Sequence, residues 1–300
     1  MKVLRTIDEA RAACQQVKRD GRTLGLVPTM GALHQGHLSL VRGARAQCGV
    51  VAVSIFVNPL QFGPNEDFAR YPRSFERDCR MLEAEGVSLV FAPTPEEMYG
   101  PQFGNAAHTT STYIEVPGLS DKLEGKTRPG HFRGVTTVVA KLFHIIEPDV
   151  AFFGQKDAQQ VVIIRRMVED LNMPVRLVVC PIVREADGLA LSSRNAYLDP
   201  AQRNAATVLH RALMRVQAMT DFGERDAGKL AEAGRQIIRE EPLARLDYFE
   251  LVDPATLDPV SDITRGALVV TAVYFGSTRL IDNLMLYAGE ARTPDLRANE

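Results

Sequence analysis

The segment Leu24-Gly25-Leu26-Val27-Pro28-Thr29 leads through Met30-Gly31-Ala32 into the motif His34-Gln35-Gly36-His37, in a chain of 300 residues. The apolar segment predicts a strand, the glycine-containing segment predicts a turn, and a helical pattern begins near His37. The first N–H groups of a helix lack intrahelical acceptors and favour anions such as phosphate. Two imidazoles three residues apart add hydrogen-bond donors at the same place. The whole segment therefore predicts a nucleotide-binding strand, loop and helix.

Two other interpretations of the histidines remain open at this point. A pair at this spacing could bind zinc, but a zinc site normally needs a third ligand, and no HExxH motif or cysteine cluster lies nearby. The histidines could also be surface residues at the start of a helix. Gly36 between them instead indicates a place where the backbone approaches another group closely.

Apolar runs of strand length alternate with amphipathic segments of helix length through the first half of the chain. This βαβ pattern predicts parallel pairing and a ligand crevice at the carboxyl ends of the strands. The predicted strands are residues 24–28, 50–57, 87–92, 150–153 and 175–181, and the predicted helices are residues 37–47, 74–85, 134–146 and 155–171.

The pattern changes near residues 185–188. The predicted elements beyond this point are helices at 201–219 and 227–240 and strands at 248–252, 267–275 and 280–287. The sequence therefore predicts an α/β protein with an N-terminal Rossmann-like, doubly wound parallel sheet in residues 1–186 and a smaller C-terminal α+β domain in residues 187–300.

The composition excludes several classes of protein. The formal net charge of −2 argues against an extended nucleic-acid surface, which would need a basic excess. Four cysteines without a CxxC motif are typical of reduced, buried thiols in a cytosolic protein. No apolar run approaches the roughly 18 residues that a membrane span requires. The N-terminal residues also lack the apolar region of a signal peptide. We therefore expect a cytoplasmic protein with no nucleic-acid or membrane partner.

Polar residues follow three of the predicted strands. Asn58 and Gln61 come after the second strand, Gly154 to Asp157 follow the fourth, and Leu191 to Asn195 come after the last. Because the carboxyl ends of parallel strands meet at one edge, we expect these residues to converge on a single crevice. Lys156 and Arg194 would then be cations beside a triphosphate, although either one alone could be a solvated surface residue.

Five ordered segments carry a resemblance to a known family. The HxGH motif is similar to the signature of the nucleotidylyl transferase superfamily, and the five segments together resemble the pantothenate synthetase family over nearly the whole chain. They are residues 28–41 (PTMGALHQGHLSLV), 56–62 (FVNPLQF), 128–132 (RPGHF), 153–160 (FGQKDAQQ) and 191–195 (LSSRN).

The resemblance implies an ATP-dependent ligase that makes the coenzyme A precursor pantothenate. The carboxylate of (R)-pantoate attacks the α phosphorus of ATP to give pantoyl adenylate and pyrophosphate, and the amine of β-alanine then displaces AMP. The first transition state gathers negative charge on phosphoryl oxygens, so it needs preorganised donors and a metal ion rather than a protein nucleophile.

The resemblance also implies roles for individual residues. His37 is the proton donor, and His34, Lys156 and Arg194 are the other catalytic residues. The implied pantoate and β-alanine residues are Gln61, Gln160, Asn58, Met30 and Arg128. The implied ATP-binding residues are Met30, Gly31, Ala32, Leu33, His34, Gln35, Gly36, His37, Gly154, Gln155, Lys156, Asp157, Val183, Leu191, Ser192, Ser193 and Arg194.

Further expectations follow from the same resemblance. ATP is a substrate, Mg²⁺ binds through its phosphates without a protein metal site, and the first domain forms a homodimer. Apart from the resemblance, the position of Arg128 and His131 in a Pro-Gly turn before a helix leads to the hypothesis that they close over the phosphates. We also expect the second domain to act as a lid that excludes water from the acyl adenylate, with its hinge at Asp187-Gly188. Asp78 is a possible outer contact of Mg²⁺ in related proteins, but a lone aspartate on a predicted helix is usually solvated.

Two alternatives to the ligase remain open. Another HxGH nucleotidylyl transferase would share the histidine motif but not the VNPLQF and GQKDAQQ segments, and it would keep AMP in its product. A non-catalytic ATP sensor would have no evident use for glutamines directed at a second small ligand. A serine hydrolase is excluded because Ser192 and Ser193 lack the GxSxG context.

Overall fold

The computed structural model describes residues 1–64, 66, 68–101, 103 and 111–287. The chain divides into two compact units, which are described separately. The first consists of Met1–Gly154 and Gln159–Cys180, and the second consists of Gln155–Ala158 and the chain from Pro181 onward. The division into domains at residues 186 and 187 stays a prediction.

The first unit is built on a parallel sheet of six strands in the order β1-β4-β3-β2-β5-β6. The strands are β1 (Lys2–Leu4), β2 (Leu24–Thr29), β3 (Val50–Ile55), β4 (Leu89–Phe91), β5 (Val150–Gly154) and β6 (Arg176–Cys180). The helices are α1 (Ile7–Arg19), α2 (Gln35–Gln47), α3 (Phe75–Ala84), α4 (Pro95–Tyr99), α5 (Glu124–Thr127), α6 (His131–Ile146) and α7 (Ala158–Asp170).

The central strand β2 pairs with β3 on one side and with β5 on the other. Its apolar side chains are buried, as expected for a parallel strand covered on both faces. The chain first winds from β2 to β3 and later returns to place β5 on the opposite side. The carboxyl end of β2 is therefore the topological switch point, where open α/β sheets bind their ligands.

The second unit contains an antiparallel sheet of three strands and three helices. The helices are α8 (Pro200–Ala205), α9 (Val208–Asp221) and α10 (Ala227–Arg239), and the strands are β7 (Ala244–Val252), β8 (Ala267–Phe275) and β9 (Thr278–Leu286). Apolar faces of α9 and α10 pack with the sheet in one core. Gly234 of α10 lies so close to the Phe249 ring of β7 that a β-carbon there would overlap it.

The predicted fold class is confirmed, with local differences. The predicted helix 201–219 is instead two helices. The first, α8, is capped by Asp199 and ends at Ala205, and α9 begins at Val208. The predicted strand 50–57 ends at Ile55, because Asn58 caps a 3₁₀ turn at Pro59–Gln61. The predicted helix 155–171 starts with a 3₁₀ turn and becomes α-helical only at Ala158. Strand β1 and helices α1, α4 and α5 were not predicted from the sequence.

All four cysteines are free thiols, with Cys14 and Cys180 buried and Cys48 and Cys79 partly buried. Burial raises the pKa of the Cys14 thiol to about 11, which keeps it protonated and unreactive near neutral pH. Across the described ranges, no helix is both long and apolar enough to cross a membrane.

Candidate active site

The loop after β2 turns sharply through two residues with left-handed backbone angles. Gly31 has φ +83° and Ala32 has φ +50°. The Gly31 N–H donates to the Thr29 hydroxyl, which itself donates to the Ser54 carbonyl of β3. A non-glycine residue in this conformation needs support from its surroundings. The turn therefore depends on contacts with neighbouring elements.

The carboxylate of Asp78 on α3 supplies that support. One oxygen accepts the Ala32 N–H at 2.8 Å, and the other accepts the Leu33 N–H at 2.9 Å and the Ser74 hydroxyl at 3.0 Å. Asp78 is 0% exposed, so the expectation of a solvated aspartate is wrong. No pattern in the sequence indicates this role, because the partners are backbone groups 45 and 46 residues away.

The motif histidines form the N-terminal cap of α2. The Nδ1 atom of His34 accepts the Gly36 N–H at 3.1 Å, and the Nδ1 atom of His37 accepts the His34 N–H at 3.4 Å. This is a reciprocal capping box in which histidines replace the usual Ser or Thr and Glu or Gln. The two rings lie 4.1 Å apart. The helix thus begins at Gln35, two residues earlier than predicted.

This capping arrangement fixes the tautomer of both rings. Because Nδ1 is an acceptor in His34 and His37, the proton of each neutral ring is on Nε2. The Nε2–H groups and the first N–H groups of α2 are donors at the positive end of a helix. The loop and helix start can therefore bind an anion at the switch point of the sheet.

Asn58 and Gln61 are joined in a buried hydrogen-bond network. Asn58 is 1% exposed, and its Nδ2 donates to the Gly134 carbonyl at 3.0 Å and to Gln61 Oε1 at 3.2 Å. Its Oδ1 accepts the Tyr99 hydroxyl at 2.7 Å and the Leu60 N–H at 3.2 Å. Asn58 thus caps the Pro59–Gln61 turn and also orients Gln61.

The network decides which end of the Gln61 amide is presented. With Oε1 accepting from Asn58, Nε2 points toward Met30 and lies 3.0 Å from its sulfur. Gln61 therefore offers hydrogen-bond donors beside the end of β2. Burial raises the pKa of Tyr99 far above its ordinary value, so its hydroxyl stays a donor to Asn58. Tyr99 was missed in the sequence, where nothing distinguishes it from a core aromatic residue.

Arg128 and His131 lie on the other side of Gln61. The guanidinium of Arg128 makes a bidentate ion pair with Glu66, at 2.6 and 2.8 Å, and contacts His131 Nε2 at 3.0 Å. His131 Nδ1 donates to the Gln61 carbonyl at 2.8 Å. Burial of the ring and the adjacent guanidinium lower the pKa of His131 to about 4. The neutral ring therefore stabilises the turn that carries Gln61 by donating to the Gln61 carbonyl.

Gln159 and Gln160, adjacent on α7, have different environments. Gln160 is partly buried. Gln159 is buried and binds backbone groups of the segment before α6, accepting the Glu124 N–H and donating to the carbonyls of Leu119 and Lys122. Gln159 is thus a structural residue that the sequence pattern did not separate from its neighbour.

The other predicted nucleotide-binding residues lie in the second unit, except Gly154, which ends β5. Lys156 is in the Gln155–Asp157 turn, and its Nζ is 3.5 Å from the Asp157 carboxylate. Ser192 caps the Ser193–Tyr197 turn by accepting the Arg194 N–H. Both turns contact β9.

Val183 and Leu191 face each other across a short hairpin, in which the Leu191 N–H donates to the Val183 carbonyl. The predicted hinge residues Asp187 and Gly188 lie at its tip, inside the second unit. Arg203 pairs with Asp187 at 2.8 Å, and Arg184 donates to the Gly188 carbonyl.

Most of the predicted residues lie in two sets, and Gly154 at the end of β5 and Gln160 on α7 lie outside both. One set lies around the carboxyl ends of β2 and β3 and the start of α6, in the first unit. The other lies beside β9 and in the adjacent hairpin, in the second unit. The described part of the chain contains no group of three or more His, Cys, Asp or Glu side chains that could hold a metal ion.

Comparisons with known proteins cover nearly the whole chain. The sequence model described as pantoate-beta-alanine ligase matches residues 2–285. The chain is 62% identical to a pantothenate synthetase of Koribacter versatilis over 98% of this chain and 99% of the relative. It is 52% identical to one from Thermotoga neapolitana, covering 95% of this chain and all of the relative.

Solved structures agree with this assignment. The crystal structure of pantothenate synthetase from Thermus thermophilus has a TM-score of 0.89 at 47% identity, covering 96% of this chain and 100% of that one. A pantoate-beta-alanine ligase from Francisella tularensis, complexed with beta-gamma ATP and beta-alanine, has a TM-score of 0.76 at 33% identity, covering 95% and 97%. On sequence, fold and motif positions, the chain belongs to the pantoate-beta-alanine ligase family.

Proposed function

We propose that the chain joins (R)-pantoate and β-alanine to form pantothenate, using ATP and proceeding through pantoyl adenylate. The observation that carries this proposal is the α2 N-terminus with its two capping histidines, next to a buried amide network that presents Gln61. The first feature suits a phosphate and the second suits a small polar acid. A related enzyme was solved with beta-gamma ATP and beta-alanine, and we propose the corresponding ligands here.

In the first step, a carboxylate oxygen of pantoate bonds to the α phosphorus of ATP and the bond to pyrophosphate breaks. Negative charge builds on the phosphoryl oxygens. The Nε2–H groups of His34 and His37 and the N–H groups of α2 are placed to stabilise it without reorganisation. We assign the proton-donor role to His37. Lys156 and Arg194 supply positive charge for the departing pyrophosphate.

Pantoate binding is assigned to the amide network. Gln61 Nε2 donates to a hydroxyl or carboxylate oxygen of pantoate, and Gln160 supplies a second amide. Met30 contacts Gln61, which supports the assignment of its flexible thioether to packing against the gem-dimethyl group. Asn58 holds Gln61 in place and supports the β-alanine pocket, and Arg128 supports the same turn through the Gln61 carbonyl.

In the second step, the β-alanine amine attacks the acyl carbon and AMP leaves. A carboxylate resists such attack until one of its oxygens belongs to a good leaving group, and adenylation provides that group. Water would compete with the amine, so we propose that the second unit acts as a lid.

We further propose that Mg²⁺ enters on the triphosphate. Both Asp78 oxygens accept hydrogen bonds from the protein, so this carboxylate does not offer a ready metal ligand. Oxygens of phosphate and water are the usual partners of Mg²⁺ at nucleotide sites. We also propose that the protein forms a homodimer and is located in the cytoplasm.

Isotope exchange tests the adenylate directly. The chain, ATP, Mg²⁺ and labelled pyrophosphate are incubated with or without pantoate, in the absence of β-alanine. We expect label to enter ATP only when pantoate is present, because the first step is reversible. Exchange without pantoate, or none with it, contradicts the proposed intermediate.

A further inference from the structure

Asn283 of β9 makes three hydrogen bonds to the turn that carries Lys156. Its Nδ2 donates to the Gln155 carbonyl at 2.9 Å and to the Lys156 carbonyl at 3.0 Å. Its Oδ1 accepts the Gln155 side-chain amide at 2.9 Å. Asn283 is only 3% exposed, so each bond is shielded from water. No other residue type matches this set so well, because two donors and one acceptor are needed on one short side chain.

The neighbouring residue anchors Asn283 on β9. Asp282 accepts both ends of the Arg184 guanidinium, at 2.6 and 2.9 Å, and also accepts the Asn283 N–H at 2.8 Å. Both residues pair with β8, Asp282 opposite Thr271 and Asn283 opposite Val270. Two buried polar residues therefore interrupt the apolar part of the strand, residues 280–286, and hydrogen bonds satisfy both of them.

This contact explains why residues 155–158 belong to the second unit. The turn directly follows β5 of the first unit in sequence, yet its two carbonyls and the Gln155 side chain are bound by β9, about 128 residues away. The Lys156 backbone is thus hydrogen-bonded to the C-terminal sheet.

We propose that Asn283 is a positioning residue for adenylation, which holds the Gln155–Asp157 turn so that the Lys156 ammonium is presented to the phosphates. The inference rests on the proposed function, because Lys156 must act in the first step for Asn283 to act through it. Asn283 itself does not touch the substrate in this assignment. Its effect on adenylation is exerted through the Lys156 side chain that the turn carries.

A double-mutant cycle tests this with Asn283→Ala, Lys156→Ala and the double variant in the full-length chain. The readout is the pantoate-dependent rate of pyrophosphate formation at saturating ATP. We expect Asn283→Ala to lower this rate by about tenfold to a hundredfold, the scale of a misplaced catalytic group. The double variant should be no slower than Lys156→Ala within about twofold, because the two residues act as one unit.

Two further variants separate positioning from stability. Asn283→Ser keeps a hydroxyl that can donate to one carbonyl, and its rate should lie between those of the parent and Asn283→Ala. Thr220→Val is the matched control. It removes one buried hydrogen bond within α9 of the same unit, from the Thr220 hydroxyl to the Val216 carbonyl, and it should leave the rate unchanged.

The outcomes distinguish this inference from the proposal on which it rests. If Lys156→Ala slows pyrophosphate formation but Asn283→Ala behaves like Thr220→Val, the positioning role is wrong and the ligase proposal stands. The positioning role is also wrong if the rate of the double variant falls by the product of the two single-variant factors, because Asn283 would then act independently of Lys156. If Lys156→Ala has no effect, the role proposed for Lys156 is wrong, and the inference falls with it.

Discussion

At the scale of single residues, His37 has two functions on one imidazole ring. Its Nδ1 atom caps α2 by accepting the His34 N–H. Its Nε2–H group is a hydrogen-bond donor that takes no part in this cap. The capping contact and the catalytic role can be separated by substitution, because an amide of similar reach can accept the capping hydrogen bond but cannot act as a proton donor.

We expect His37→Gln to keep the stability of the parent and lose its activity. Glutamine at this position is the usual partner in a capping box, so the helix start stays capped. Without the imidazole, adenylation should slow by about a hundredfold to a thousandfold. His37→Ala should lose the same activity and also about 1 kcal/mol of stability. Pyrophosphate release and urea denaturation measure the two effects, and full activity in His37→Gln would rule out the catalytic assignment.

Tyr99→Phe tests the orientation of the amide network. Loss of the hydroxyl removes the shortest hydrogen bond to Asn58 Oδ1 and leaves the longer one from the Leu60 N–H, so the Asn58 and Gln61 amides are held less firmly in this orientation. We expect the KM for pantoate to rise about tenfold, the effect of roughly 1.4 kcal/mol, while the KM for ATP stays unchanged. Tyr113→Phe, at an exposed tyrosine, is the control. Equal changes in the KM for pantoate and the KM for ATP would show that the Tyr99 hydroxyl stabilises the fold as a whole and does not orient the amide network specifically.

His131 should make stability depend on pH. Its pKa is about 4 in the folded chain and 6.5 ordinarily, so between these values the unfolded chain binds a proton that the folded chain does not. The free energy of unfolding should therefore fall, by on the order of 3 kcal/mol, as pH drops from about 6.5 to 4. His131→Asn keeps a donor for the Gln61 carbonyl without a titrating ring. Denaturation curves should show a smaller pH dependence for this variant, and parallel dependences would contradict the assignment.

At the scale of secondary-structure elements, the amide network depends on how closely α6 approaches the Pro59–Gln61 turn. A β-carbon on Gly134 would overlap the Leu60 carbonyl and lie 2.6 Å from the Gln61 nitrogen. Both neighbours are backbone atoms, which cannot move aside as a side chain can. The glycine is therefore required by the packing of the helix on the turn.

We expect Gly134→Ala to displace that turn and weaken pantoate binding by at least about tenfold, with a stability loss of about 1 to 3 kcal/mol from overpacking. Gly43→Ala is the matched control, because the nearest atom to its new β-carbon is a cysteine sulfur at 3.3 Å. Calorimetric titration with pantoate and thermal unfolding measure both effects. If the two variants behave alike, the proposed close packing at Gly134 has no functional importance.

Most elements could be predicted from the sequence, because hydrophobic periodicity is a local property. The order of β2, α2 and β3 follows directly from it, and the boundaries differ mainly where caps act, as at His34 and Asn58. The short edge strand β1 and the helix α4 carry too few residues for a periodic signal.

The roles of single residues were harder to predict, because buried polar partners depend on contacts distant in sequence. Asp78 binds backbone groups of the loop after β2, and Asn283 binds the turn after β5. For Asn283 one signal was present, since Asp282-Asn283 interrupts an apolar strand. For Asp78 and Tyr99 the sequence holds no comparable signal.

At the scale of the whole molecule, the predicted site residues are divided between two compact units, and the division does not follow the sequence. Residues 155–158 belong to the second unit although residues on both sides of them belong to the first. A boundary drawn along the chain could not reveal this, because the hydrogen bonds that decide it come from β9. The convergence of Asn58 and Gln61, residues 154–157 and residues 191–195 on a single crevice, expected because parallel strands end at one edge, stays a prediction.

The central claim is that the chain activates pantoate before it uses β-alanine. The most direct test mixes enzyme, ATP, Mg²⁺ and pantoate rapidly, with or without β-alanine, and follows pyrophosphate and AMP separately. We predict a burst of pyrophosphate with pantoate alone and continuous release of AMP only when β-alanine is present. Pyrophosphate and AMP that appear together, and only when β-alanine is present, would contradict the two-step account, and no turnover in either mixture would contradict the ligase assignment itself.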